Sequence, residues 1–326
     1  MPINRRLVMG ALAATSLAPL AQVVRAQARY PDKPIKLIVP FPAGGQTDAV
    51  ARLYAQKIEA ALGQPIVVDN RPGASALIGT EAVAKSPPDG YTLLLNMTAQ
   101  VTNPILLPNV GYDAFRDFVP VARLYQLTGL WAVPPTGAKT LAEFMQQAKA
   151  SPKPLSFATT GHASSSHYFG EVLARTGGFK LNHVPYKGEA PIVPDLLTGR
   201  VEAAVISGQT AMTYGKDGRI RVLATTGPTR LKSLPDLPTF EEQGVTGLTQ
   251  ESFCGVFAPA GTSPAIVQRL NEVFNKAMAL PEVQQRITAL GLDVPAPLTP
   301  AEFTAVMRKS HNEWTDIKKR SEIRFE

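Results

Sequence analysis

Cysteine is almost missing from this chain. Cys254 is the only one in 326 residues, so no disulfide can close within it. It stands in the apolar run Phe253-Cys254-Gly255-Val256-Phe257, where a thiol reads as a small buried hydrophobe. Long apolar stretches are missing too. None reaches the roughly 18–20 residues needed to cross a bilayer, so no mature membrane anchor is expected. Charge is sparse, at 18% Asp, Glu, Lys and Arg, and no basic block is dense enough to suggest nucleic acid. The GxGxxG of a dinucleotide site, the lysine-bearing phosphate loop and the G-x-S-x-G nucleophile elbow are all absent. No cofactor is expected.

What is present fits an exported globular protein. Hydrophobic residues make up 44% of the chain, and its length suffices for two ordinary domains. Residues 1–28 have the form of a secretory signal. Arg5 and Arg6 make a basic start, Leu7 to Leu20 is apolar and small, and Val24-Arg25-Ala26 and Ala26-Gln27-Ala28 are both cleavage candidates. An amphipathic first helix would be the alternative. The adjacent arginines hint at the twin-arginine route. Losing Arg5, Arg6 and Arg25 would lower the net charge from +7 by three, to +4. That excess favours anionic solutes only weakly.

Strand-like and helix-like patterns then alternate, as in α/β layers. Ile35 to Val39 reads as a strand, and Asp48 to Leu62 as a helix with Val50, Tyr54 and Ile58 on one face and Gly63 to end it. Further strands are expected at Ile66–Val68, Thr92–Asn96, Leu155–Ala158 and Val201–Ile206. Helices are expected at Ala76–Lys85, Thr140–Ala150 and Ser165–Arg175. Thr140-Leu141-Ala142-Glu143 and Thr299-Pro300-Ala301-Glu302 have capping-box spacing, and Ser263-Pro264 is a cap followed by proline. Phe303, Val306, Met307, Ser310, Trp314 and Ile317 mark one face of a long last helix. Phe118–Leu124 and Ser252–Ala258 are extended without a helical partner and read as crossings between two lobes.

Two loops could carry chemistry. Phe41-Pro42-Ala43-Gly44-Gly45-Gln46-Thr47-Asp48 joins a strand to a helix. Glycine lets backbone approach a ligand, and a helix start offers unpaired N–H groups suited to an anion. Thr47 can cap the helix and Asp48 can hold loop amides. Thr159-Thr160-Gly161-His162-Ala163-Ser164-Ser165-Ser166-His167 has the same context and is dense in hydroxyls, which with helix N–H groups can hold a carboxylate without arginine. Each loop could equally be an ordinary capped turn. His162 and His167 are five apart with no carboxylate or cysteine nearby in sequence, which argues against a metal. A serine hydrolase is the enzymatic alternative, but it lacks the elbow motif. On separate lobes the two loops would face each other across a cleft.

These residues also resemble a known family. Tyr30-Pro31-Asp32-Lys33-Pro34-Ile35 looks like the mature start of the Bug/TctC family, the extracytoplasmic binding proteins of tripartite tricarboxylate transporters. Pro40-Phe41-Pro42-Ala43-Gly44-Gly45-Gln46-Thr47-Asp48 followed by Ala51-Arg52 is similar to its PFPAGGxxDxxAR signature. Val68-Asp69-Asn70-Arg71-Pro72-Gly73-Ala74, Pro88-Asp89-Gly90-Tyr91-Thr92-Leu93, Pro185-Tyr186-Lys187-Gly188 and Leu237-Pro238-Thr239-Phe240 match further elements in order. The resemblance runs from about Tyr30 to the last helix.

It implies a two-domain α/β fold like that of type II periplasmic binding proteins, with the ligand cleft between the domains and no catalysis. Residues 29–124 and 249–326 would form domain 1, and residues 125–248 domain 2. The expected ligand-binding set is Phe41, Ala43, Gly44, Gly45, Thr47 and Asp48 in the first loop, Thr98 after the third strand, and Thr160, Gly161, Ala163, Ser164 and Ser166 in the second loop. The expected partners are a small carboxylate and the membrane subunits of a tripartite transporter, with the chain a periplasmic monomer. A ligand carrier for a sensor is the alternative role. One departure stands out. The family often has Gly-x-Gly-Ser where this chain has Gly161-His162-Ala163-Ser164, and alanine tolerates positive φ less readily than glycine.

Overall fold

The computed structural model describes residues 30–161, 164–186, 188–231, 233–249 and 252–321. The expected signal segment lies outside them, as do His162, Ala163 and Lys187. From its N-terminal side the chain forms β1 (Ile35–Val39), α1 (Gln46–Leu62), β2 (Ile66–Asn70), α2 (Leu77–Ala84), β3 (Thr92–Met97), α3 (Ala99–Leu106) and β4 (Phe118–Leu127). A second unit follows: β5 (Leu130–Val133), α4 (Leu141–Ala150), β6 (Leu155–Thr159), α5 (Ser165–Gly177), β7 (Leu181–Pro185), α6 (Ile192–Leu197), β8 (Ala203–Ile206), α7 (Gly208–Tyr214) and β9 (Arg221–Thr225). The chain then returns through β10 (Ser252–Pro259), α8 (Pro264–Met278), α9 (Pro281–Ala289) and α10 (Pro300–Ser321).

The strands make two five-stranded sheets, ordered β2-β1-β3-β10-β4 and β7-β6-β8-β5-β9. Their plans match. In the first, β1 lies parallel between β2 and β3, and β10 runs antiparallel to β3 and β4. In the second, β6 lies parallel between β7 and β8, and β5 runs antiparallel to β8 and β9. The β1–α1 and β6–α5 turns therefore hold equivalent places, as do β3–α3 and β8–α7. Ligands of open α/β sheets bind outside the carboxyl ends of such parallel strands.

The two extended segments read as crossings between lobes lie within strands. Phe118–Leu124 and Ser252–Ala258 lie side by side as β4 and β10. Antiparallel strands need no crossover helix, so they escape a reading based on alternation. The chain changes sheet just beyond them, between Leu127 and Leu130 and between Thr225 and Ser252.

Apolar faces explain the layers. Val50, Tyr54 and Ile58 of α1 and Leu270 and Phe274 of α8 join the core on one side of the first sheet. Val101, Phe303 and Met307 belong to the core on the other side. In the second unit Trp131 stacks on Phe157, with ring centroids 4.8 Å apart. Caps are largely as expected: Thr140 Oγ1 accepts from the Glu143 N–H, and Thr299 and Glu302 exchange bonds. Ser263, however, makes no side-chain cap bond, and proline at the first helical position marks that start alone. The lobes touch where Trp314 of α10 packs on Tyr168 of α5 (5.0 Å between centroids) and where Gly208 abuts the Gly291 carbonyl.

Candidate functional site

The first loop is built from the Asp48 carboxylate outward. Asp48 is buried, and its Oδ2 accepts from the Gly44 N–H at 2.9 Å and from Arg52 Nε at 3.0 Å. Arg52 also donates to Asn70 Oδ1 (3.1 Å), and Asn70 Nδ2 donates to the Phe41 carbonyl (3.1 Å). This chain of bonds ties the turn after β1 to the end of β2. Burial by itself raises the Asp48 pKa, but the bonds from Arg52 and the Gly44 N–H outweigh it and hold the carboxyl below its usual value. The helix cap is not Thr47. Gly45 occupies that place without a side-chain bond, α1 begins at Gln46, and Thr47 sits within its first turn with Oγ1 3.8 Å from Met97 Sδ. Of the two glycines, Gly44 is the one whose conformation (φ +81°) demands glycine.

The second loop is held by Ser166. Its buried Oγ accepts the Thr160 N–H at 3.0 Å and lies 2.8 Å from Ser164 Oγ. Ser164 caps α5 by accepting the His167 N–H (3.2 Å), and it donates to the Gly161 carbonyl (2.7 Å). Its hydroxyl is thus already committed within the loop. The neighbouring Ser165 is exposed, and its hydroxyl has no partner among the described residues. Behind the loop, His167 stacks on His183 and reaches Glu171 at 3.7 Å, a carboxylate one helical turn on that the expectation of none nearby overlooked. Among the described residues no group of three or more His, Cys, Asp or Glu could hold a metal.

The two loops face one cleft between the lobes. One cavity of about 430 Å³ includes Phe41, Thr98, Thr160, Gly161, Ser164 and Trp314 in its walls. An adjoining one of about 280 Å³ includes Gln46, Thr47, Ser166, Glu189 and Ser207. Met97, Leu127, Thr160, Ser165 and Ser252 line both, so the cavities are parts of one space. The combined hollow is of the size that takes a small ligand. Seven of the expected residues are brought together here: Phe41, Thr47, Thr98, Thr160, Gly161, Ser164 and Ser166. Ala43, Gly44 and Gly45 are exposed and outside these walls, and Asp48 lies behind them. Ala163 is outside the described residues.

The N-terminal ends of α1, α3, α5 and α7 thus line the cleft, and early N–H groups of a helix have no partner inside it. Thr98, at the start of α3, is fixed by bonds between its hydroxyl and the Phe253 backbone of β10. Among the described lining residues there is no Lys or Arg, and the one formal charge is that of Glu189. Sequence reasoning missed Gln46, Ser165, Glu189 and Ser207. The signal for Ser207 is topological, since β8–α7 repeats the place of β3–α3.

Comparison with known proteins agrees with this architecture. The model of the tripartite tricarboxylate transporter family receptor, TctC, matches residues 50–321, more than half of the chain. A protein from the tcbD-tcbE intergenic region of Pseudomonas sp. (strain P51) is 39% identical over 292 residues, covering 89% of this chain and 86% of that protein. A Rhodopseudomonas palustris protein solved with adipate has a TM-score of 0.80 at 31% identity, covering 90% of this chain and 99% of that one. MatC of the same organism, solved with bound malate, has a TM-score of 0.76 at 30% identity, covering 88% and 99%. Fold, cleft and sequence together place the chain in the TctC family of tripartite tricarboxylate transporter receptors, whose members are solute-binding proteins and not enzymes.

Proposed function

We propose that this protein captures a small carboxylate in the cleft between its lobes, in the periplasm, and presents it to the membrane subunits of a tripartite transporter. The observation that carries the reading is the lining: the N-terminal ends of α1, α3, α5 and α7 and several hydroxyls, with no Lys or Arg among the described lining residues. Such a lining favours a carboxylate through many neutral donors, each contributing about 1.5–3 kcal/mol against a charged acceptor. The relatives solved with malate and adipate, both small dicarboxylates, support a carboxylate as the solute class. In this reading Thr47, Thr98, Thr160, Gly161 and Ser165 contact the acid, Ser164 and Ser166 shape their loop, and Gly44 and Asp48 shape the other. Residues 29–124 with 249–326 close as one body on residues 125–248, and residues 1–28 are removed on export. No described helix is long and apolar enough to cross a membrane.

A thermal-shift panel of di- and tricarboxylates, amino acids and aromatic acids, run beside sugars, amides and cations, tests the proposal. A ligand at 100 times its dissociation constant stabilises by about 2.7 kcal/mol, a shift of several degrees. At least one acid should give that shift. A panel in which sugars, amides and cations stabilise while no acid does refutes the reading.

A further inference from the structure

We infer that the acid taken into this cleft also carries an ammonium group, and that Glu189 selects for it. The inference rests on the carboxylate reading above and names the solute class more narrowly.

Three observations carry it. First, Glu189 lines the same 280 Å³ cavity as Thr47 of α1 and Ser165 and Ser166 of α5. A negative side chain and the helix ends that favour an anion therefore share one small space. Second, the carboxylate is held in place. Its Oε1 accepts both the N–H and the hydroxyl of Ser207, each at 2.9 Å. Ser207 in turn caps α7, so the group is fixed to the framework of the second lobe. Third, no described residue neutralises the charge. Among the described residues Glu189 has no ion-pair partner, its Oε2 takes no hydrogen bond, and no Lys or Arg lines the cavity.

A fixed anion in a partly desolvated cleft repels a second ligand carboxylate and attracts a ligand cation, and the low local dielectric strengthens both effects. A plain dicarboxylate satisfies the helix ends but sets its second charge against Glu189. An amino acid satisfies both. Glu189 has room for this role because Ser207 uses one of its oxygens and leaves the other for a ligand N–H.

The test is calorimetric titration of the purified protein with acids paired so that they differ only by the ammonium group: propionate and alanine, succinate and aspartate, glutarate and glutamate. In the pair that binds best, the amino member should be at least about tenfold tighter, a difference of about 1.4 kcal/mol. Glu189→Gln keeps an oxygen for Ser207 and removes the charge. It should bring the two members of that pair to within about threefold of each other, which is under 1 kcal/mol. A wild-type protein that binds the unaminated acid as tightly as its partner overturns this inference and leaves the carboxylate reading standing. So does a preference that survives Glu189→Gln unchanged. Failure of every acid in the panel overturns the carboxylate reading and this inference with it.

Discussion

Replacing Asp48 with alanine tests whether the first loop is held, and whether holding it matters. The substitution removes the acceptor of the Gly44 N–H and of Arg52 Nε. The arginine side chain is 54% exposed, so solvent screens that pair and it contributes less than about 1 kcal/mol. The Gly44 bond ends on a buried carboxylate and contributes about 1.5–3 kcal/mol. Asp48→Ala should therefore destabilise by about 2–4 kcal/mol. At about 2–4 °C per kcal/mol for a domain of 150–250 residues, Tm falls by roughly 4–16 °C. Arg52→Ala should cost less than about 1 kcal/mol, and Asp48→Asn, which keeps an oxygen for Gly44, should fall between the two. The loop's anchor is lost with Asp48, so carboxylate affinity should drop about tenfold or more, read by titration in the same buffer. The carboxyl's folded pKa is below its usual 3.8, so its stabilisation is fully present above that value and is lost as pH falls through the lower folded one. Wild-type Tm should therefore decline on acidification below about pH 4, and Asp48→Asn should lack that part of the decline. An Asp48→Ala protein with unchanged Tm refutes the anchoring argument. One with lowered Tm and unchanged affinity refutes the loop's role in binding.

Three further outcomes are expected. Ser165→Ala should weaken binding by about tenfold at unchanged Tm, because Ser165 lines the cavity and its hydroxyl has no partner among the described residues, whereas Ser166→Ala should also lower Tm by leaving the Thr160 N–H unpaired; titration and thermal melts on both variants separate them. Cys254 is wholly buried and its thiol is pushed up to about 12 by burial, so native protein should resist iodoacetamide at neutral pH and react once unfolded, as followed by intact mass. Protein recovered from the periplasm should lack residues 1–26 or 1–28 by mass spectrometry, and a mass retaining Met1 refutes the export reading.

The layered α/β plan was readable because β1 and α1 carry clear patterns: Ile35–Val39 is apolar and buried at every position except Lys36, and Val50, Tyr54 and Ile58 repeat at helical spacing. The antiparallel strands β4 and β10 were not, since a strand without a following helix breaks the alternation that identifies its neighbours. Helix α3 escaped because Pro104 lies inside it and argues locally against a helix. The two cleft loops stood out by their glycine and hydroxyl content. Within them, sequence could not tell which serine keeps a free hydroxyl: Ser164, Ser165 and Ser166 are chemically alike, and only the cap geometry commits Ser164 and Ser166 inward. Glu189 and Ser207 come together through the pairing of β6 with β7 and β8, which no local pattern reveals. Trp314 fits the apolar face of α10, yet the same face reaches past the core into the cleft wall.

The central claim is that neutral donors at helix ends hold a negative charge between the lobes. Its most direct test is a calorimetric comparison of the best-binding acid from the panel with the primary amide of that same acid. The amide preserves shape and loses the charge. The account predicts that the acid binds at least about tenfold more tightly, a difference of about 1.4 kcal/mol or more. Equal affinity for the acid and its amide contradicts it.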